Sequence, residues 1–227
     1  YEARNYALEK AKGKFIAFLD VDDWWEENKL ESQLKMFEDT DVALVYSNFW
    51  FANKSSNNAR LAFKKKLPSG YVLDELLRKY PVGMLTIMVR RESLDTLDYV
   101  FDSRYQMIGD FDLAIRLSIN SKFACVQEPL AYYRLHDNNM SKKHRKLQNQ
   151  EIEQWLNESS RNDQIASSVG FIYRKKLLLY FKGMEAIQNH NLYKAFKFFV
   201  MIPYNLKFKL FIYLIIPNQI LKMIGRG

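Results

Sequence analysis

The feature that most constrains this chain is a short apolar run, Phe15 to Leu19, entered from a helical pattern and left through acids, Asp20-Val21-Asp22-Asp23. Ala3, Ala7 and Ala11 recur at four-residue spacing ahead of Gly13, which predicts a helix closing at that glycine. A helix leading into a buried strand is the α/β pattern. Open α/β sheets gather their ligands at the carboxyl ends of such strands. Three carboxylates so close repel one another unless a cation or hydrogen-bond donors neutralise them. A hard divalent ion, Mg²⁺ or Mn²⁺, shared with a substrate phosphate answers that need. A role as caps for the next helix, whose apolar face is Leu30, Leu34 and Phe37, answers it as well.

The same alternation continues downstream. Val42 to Phe51 reads as a strand, Asn53 to Asn58 as a polar surface turn or loop, and Tyr71 to Tyr80 as a helix after the Pro68-Ser69-Gly70 break. Met84 to Val89 is strand-like. Gly109 to Ile119 reads as a helix with Leu113 and Leu117 on one face and Asp110 and Asp112 in its first turn, where acids suit the helix dipole. Phe123 to Val126 and Leu130 to Leu135 read as short strands separated by Glu128-Pro129. From Ser141 the texture becomes helical, with the boundary placed between Ser141 and Lys146. The fold class expected is α/β over residues 1–141, followed by an α-helical basic and aromatic tail over 142–227.

Composition narrows the function classes. With 227 residues and 48% apolar side chains the chain can bury a core of one or two domains, which excludes disorder over its whole length. Cys125 is the single cysteine, so no intramolecular disulfide forms, no Cys/His cluster has zinc-finger spacing, and a reducing, cytosolic setting fits. The net charge of +8 is unevenly placed: residues 164–227 hold ten basic groups against one acid, Glu185, while residues 1–163 hold 24 against 25. Basicity of the tail alone suits an anionic membrane surface or a nucleic-acid backbone. No stretch reaches the roughly 18 to 20 apolar residues of a membrane span. The opening Tyr1-Glu2-Ala3-Arg4 reads as mid-helix with no cap or leader ahead of it, as expected for a piece of a longer protein.

Taken together, Ala3-Arg4-Asn5, Ala11-Lys12-Gly13, Ile16-Ala17-Phe18-Leu19 and the Asp-x-Asp-Asp ending resemble the inverting glycosyltransferases of family 2. The resemblance implies a partial GT-A fold, the Rossmann-like fold of nucleotide-diphospho-sugar transferases. It also implies that Asp20 lies near the nucleotide ribose and that Asp22 binds a metal, with the role of Asp23 open. Pro81 to Arg91 is similar to the family's acceptor-side strand. Gly109-Asp110-Phe111-Asp112-Leu113 is similar to its Glu-Asp-x-Asp-Leu segment, with Gly109 where the common residue is Glu, so the family's catalytic base falls on Asp110. Inverting transfer needs one such carboxylate, to take the proton from the attacking acceptor hydroxyl.

Tyr132-Tyr133-Arg134-Leu135-His136, followed by Asn138, Asn139 and Ser141, is similar to the family's closing segment. By that resemblance His136 completes the metal shell or touches the diphosphate. Arg134 pairs with a phosphate or a nearby acid, and Arg4 reaches the nucleotide. Trp24 and Trp25 either line a sugar or acceptor groove or sit in the core of the next helix. The resemblance spans Ala3 to Ser141, corresponding to the second part of the family's catalytic domain; the βαβ stretch that holds the nucleotide base is expected upstream.

The function implied is transfer of a sugar from a nucleotide-sugar donor to a glycan or lipid-linked acceptor in cell-surface polysaccharide biosynthesis. It would take place at the cytoplasmic membrane face and use Mg²⁺ or Mn²⁺. Short, basic, aromatic-rich helices broken at Pro203 and Pro217 suit peripheral contact with anionic lipid, each Lys adding about 1 kcal/mol; packing of those apolar faces on the α/β domain is the other reading. A non-catalytic membrane-docking or scaffold fragment of the same fold is the alternative for the whole chain. Nucleic-acid binding ranks last, because the tail is too apolar for it.

Overall fold

The computed structural model describes residues 1–52, 59–136, 139 and 144–215. The loop expected at 53–58, residues 137, 138 and 140–143 of the closing segment, and the tail beyond 215 with Pro217 lie outside the described residues.

The chain divides into two compact units, Tyr1–Glu151 and Ile152–Gly227. In the first, α1 (Glu2–Lys10) precedes β1 (Phe15–Ala17) and β2 (Trp24–Trp25). Next come α2 (Lys29–Leu34), a 3-10 turn at Lys35–Glu38, β3 (Val42–Ala52) and β4 (Ala59–Leu61). They are followed by α3 (Leu73–Arg78), a 3-10 turn at Met84–Thr86, β5 (Met88–Arg90), α4 (Arg91–Asp95), α5 (Gly109–Ser118) and β6 (Lys122–Arg134). Helix α6 (Arg145–Ser159) gives its first residues to this unit.

The strands form one mixed sheet in the order β1-β5-β3-β6-β2, with β4 beside β3. β3 and β6 pair in parallel; the other pairings are antiparallel. β3 is the axis of the sheet. Its Val42 to Tyr46 are all buried, as a central strand covered on both faces requires. Phe37, Val45, Met88, Ala124 and Leu130 form a core with Phe15, and α5 packs on β3 and against α3.

Several elements differ from the sequence expectation. Helix α1 ends at Lys10, short of Gly13, because the Arg91 guanidinium takes the carbonyls of Ala11 and Gly13. β1 is an edge strand of three residues. β6 is one strand, not two: the register slips where Asn48 faces Pro129, so the proline's missing N–H falls at an irregularity. Met84–Thr86 coils as a 3-10 turn before β5. The Pro68-Ser69-Gly70 break is real, with Gly70 at φ 97°, a conformation that favours glycine.

Helix α2 turns a different face inward from the one expected. Leu30 and Leu34 are 44% exposed, whereas Lys29 and Gln33 are fully buried. Gln33 donates to the Thr86 carbonyl at 2.7 Å. Lys29 donates to Gln33 Oε1 at 2.6 Å and lies over the Trp25 ring, and burial pulls its ammonium down to about 7.

In the second unit α7 (Asp163–Ala166), α8 (Val169–Gln188), α9 (Leu192–Met201) and α10 (Tyr204–Ile215) follow the end of α6. Three of these helices start on side-chain caps, Asn162, Ser168 and Asn191. Pro203 separates α9 from α10, as its sequence position requires. Ile202, Leu206 and Leu210 pack against Leu177, Tyr180, Met184 and Phe199. Gly183 lets α10 approach, since a β-carbon there would stand 2.9 Å from Leu210. No helix among the described residues is long and apolar enough to cross a membrane.

Candidate active site

β1 delivers the chain to Asp20, and the turn beyond it is closed by the Asp23 amide donating to the Asp20 carbonyl at 3.1 Å. The acids do not cap α2, whose N-cap residue is Asn28. Each of the three has its own environment. The Asp20 carboxylate pairs with the Arg4 guanidinium at 2.5 Å. Asp22 Oδ2 stands 2.7 Å from His136 Nε2, and that contact holds its carboxyl below the usual range. Asp23 is buried and accepts the Arg134 amide at 2.9 Å; burial, with Asp22 and Asp20 nearby, pushes it up to about 6.

Arg134 and His136 arrive from the far end of β6. Arg134 Nε donates to the Asp22 carbonyl at 2.6 Å, and its guanidinium lies over the Trp24 ring. Asn139 fixes the orientation of His136: its Oδ1 accepts the His136 amide at 2.6 Å while its Nδ2 donates to the Arg134 carbonyl. Trp24 and Trp25 belong to a strand, not to the core of a helix. Trp24 stacks on Tyr132, and Trp25 Nε1 donates to the Leu85 carbonyl at 2.7 Å.

Asp110 is the second residue of α5 and is half-buried. Tyr1 donates its hydroxyl to Asp110 Oδ1 at 3.1 Å and accepts the Asp110 amide at 3.2 Å. Burial pushes the Asp110 carboxyl up to about 6, against the Phe111 amide, the Tyr1 hydroxyl and Arg4, which favour its charged form. The Tyr80 hydroxyl is buried in the same surroundings with no hydrogen-bond partner among the described residues, and the Asp110 charge acts on it. Asp112, by contrast, is committed to Arg116 at 2.8 Å, and Arg116 also holds the Tyr99 and Val100 carbonyls. Of the two acids in this turn, Asp112 is thus the one tied to an arginine.

A groove of about 510 Å³ runs beside α1 and the end of β1. Its lining includes Tyr1, Arg4, Ala7, Ile16, Phe18 and Asp20, so the Arg4–Asp20 pair stands on it and Tyr1 connects it to Asp110. Asp22 and His136 do not line it; they form a second cluster two residues beyond Asp20. Among the described residues no group of three His, Cys, Asp or Glu side chains has metal-site geometry. Asp22 and His136 instead contact each other at a solvent-reached point.

Two contributors, Tyr1 and Glu151, lacked a sequence signal, and a third, Asn5, lay in the Ala3-Arg4-Asn5 motif without an assigned role. Tyr1 stood ahead of the motif. Asn5 clamps Phe101 with both amide atoms and so fixes α1. Glu151 accepts the amides of Gln106, Met107 and Ile108, at 2.8, 2.9 and 3.2 Å, and anchors the loop that starts α5. A carboxylate 43 residues from its partner leaves no local pattern.

The mixed sheet with acids beyond β1 and an acid opening α5 is a GT-A-like fold. S. aureus TarS, solved with UDP-GlcNAc, superposes with a TM-score of 0.53 at 15% identity over 89% of this chain and 62% of that one. A second TarS structure gives 0.51 over 90% and 37%. Residues 1–98 match the family model of Glycosyl transferase family 2. The UDP-Glc:alpha-D-GlcNAc-diphosphoundecaprenol beta-1,3-glucosyltransferase WfgD of Escherichia coli is 36% identical over 99 residues, 44% of this chain and 38% of that protein. The amylovoran biosynthesis glycosyltransferase AmsB of Erwinia amylovora is 31% identical over 146 residues, 59% and 46% of the respective chains. Over residues 1–98 the chain is thus similar to glycosyltransferase family 2. It spans about two-fifths to one half of the length of these curated relatives.

Proposed function

We propose that the chain carries the acceptor-activating part of an inverting glycosyltransferase of cell-surface polysaccharide biosynthesis. The observation that supports this reading most is the Asp110 carboxylate, held by the hydroxyl of Tyr1, a residue that itself lines a groove with Arg4 and Asp20. In the proposed step Asp110 takes the proton of an acceptor hydroxyl as that oxygen bonds to the anomeric carbon. The bond from that carbon to the diphosphate breaks on the opposite face, and its electron pair leaves with the phosphate. A base whose pKa is raised toward 6 remains ionised at neutral pH and accepts a proton better than an ordinary aspartate.

The donor assigned is a nucleotide sugar. TarS was solved with UDP-GlcNAc, and WfgD is named for a UDP-glucose donor and a diphosphoundecaprenol-linked acceptor, which favours a lipid-linked or glycan acceptor here. Asp20 and Arg4 are assigned to the nucleotide and Arg134 to the diphosphate. Asp22 and His136 would hold Mg²⁺ or Mn²⁺, which supplies positive charge against the leaving diphosphate. The reaction is assigned to the cytoplasmic membrane face, where such acceptors are presented.

The test is Asp110→Asn, a near-isosteric change. Loss of a general base lowers transfer by about 100-fold or more, with nucleotide affinity held within about threefold. Transfer within a few-fold of the parent would remove Asp110 from the base role.

A further inference from the structure

In the second unit, α9 and α10 each bury one apolar face and expose another. On α9 the inner face is Ala195 with Phe198 and Phe199, while Leu192, Phe196 and Val200, at four-residue spacing, are 60%, 65% and 52% exposed. On α10 the inner face is Leu206 and Leu210, while Tyr204, Phe208 and Phe211 are 83%, 58% and 51% exposed. The two outer faces meet. Leu192, Phe196 and Phe211 line one apolar groove of about 410 Å³. Folding alone does not explain a second apolar face on both helices, since the inner faces already form the core.

Charge narrows what covers this face. Lys197 flanks the exposed stripe of α9, and Lys207 and Lys209 that of α10, whereas Lys194 lies on the other side of α9 beside Phe198. Residues 186–227 contain no Asp or Glu. A second copy of the same face would bring lysines against lysines with no acid to answer them, so self-association is opposed. Aromatic and aliphatic side chains flanked by lysines match an anionic lipid surface, where rings sit at headgroup level and ammonium groups meet phosphates.

We propose that the outer face of α9 and α10 docks the chain peripherally on an anionic bilayer. Phe196, Phe208 and Phe211 enter the interfacial layer, and Lys197 and Lys209 lie among the headgroups. This goes beyond the transfer reading and does not depend on Asp110 or on nucleotide binding.

The test is co-sedimentation of the 227-residue chain with vesicles of phosphatidylcholine alone or with about 30 mol % phosphatidylglycerol, at about 0.1 M and 0.5 M NaCl. The expected result is partitioning at least about tenfold stronger on the anionic vesicles, weakened by salt. Phe196→Ser with Phe208→Ser lowers partitioning to both vesicle types by about tenfold. Lys197→Gln with Lys209→Gln, both at exposed positions, lowers only the anionic preference. Circular dichroism and thermal melts accompany each variant, and if the phenylalanine pair unfolds the lysine pair decides.

Equal partitioning on both vesicle types overturns the proposal. So does unchanged binding in the lysine pair, or a dimer in sedimentation velocity that the phenylalanine pair abolishes while vesicles leave the chain unbound. UDP binding is read separately by calorimetry, so loss of the docking face and loss of the donor site are distinguishable.

Discussion

The Tyr1 hydroxyl donates to Asp110 at 3.1 Å while the ring of the same residue fills the space beside Gly109, where a β-carbon would stand 2.6 Å from it. One side chain thereby accounts both for the setting of the Asp110 carboxylate and for the lack of room for a side chain at position 109. A glutamate at position 109 would need the space that Tyr1 holds. Tyr1 also stacks on Phe101, with ring centroids 5.1 Å apart, which keeps the ring in place.

Removing the hydroxyl alone changes the base without emptying the site. Burial raises the Asp110 carboxyl to about 6, and the Tyr1 hydroxyl works against that rise by favouring the ionised form. In Tyr1→Phe the acid limb of the transfer rate therefore moves up, by about half a unit to one unit. A pH profile of turnover in both proteins measures it; a downward shift would reverse the assigned role of the hydroxyl.

At the neighbouring position the prediction is steric. Gly109→Ala forces the Tyr1 ring aside and costs about 1–3 kcal/mol, although alanine is the better helix former. In a Tyr1→Ala background the same substitution costs nothing or stabilises slightly. A urea-unfolding double-mutant cycle reads the difference, and additive effects would show that ring and glycine do not compete.

Lys29 gives a prediction about stability alone. Its folded-state pKa is lowered by burial to about 7, well under the usual lysine value. Between about pH 7 and 10 the unfolded chain holds a proton that the folded chain does not. This group therefore makes stability rise with pH across that window, by no more than about 1.4 kcal/mol per unit. Lys29→Met removes that slope. Urea unfolding at about pH 7 and pH 9 compares the two; equal slopes would place the ammonium in a well-solvated site.

What the sequence made legible, and what it hid, follows from the range of the interactions. The acids after β1, the acid opening α5 and the Arg134-Leu135-His136 segment are local patterns, and the fold brings Asp22 to His136 and Arg4 to Asp20. Apolar spacing failed at α2, where Leu30 and Leu34 face outward because a buried backbone carbonyl, that of Thr86, needed the donor Gln33 supplies. The paired tryptophans read as helix or groove because a two-residue strand is defined only by its partner, β6. Tyr1, Asn5 and Glu151 act across 109, 96 and 43 to 45 residues of chain, and no spacing rule reaches that far.

The central claim, a nucleotide-sugar site in which Asp22 and His136 serve a divalent cation, is tested most directly by titration calorimetry. The chain is titrated with UDP and with GDP, each with and without Mn²⁺, beside Asp22→Ala. The account predicts nucleotide binding that requires Mn²⁺ and is lost in Asp22→Ala. Binding of equal strength with and without the metal, binding retained in the variant, or no binding of either nucleotide to the chain would contradict it.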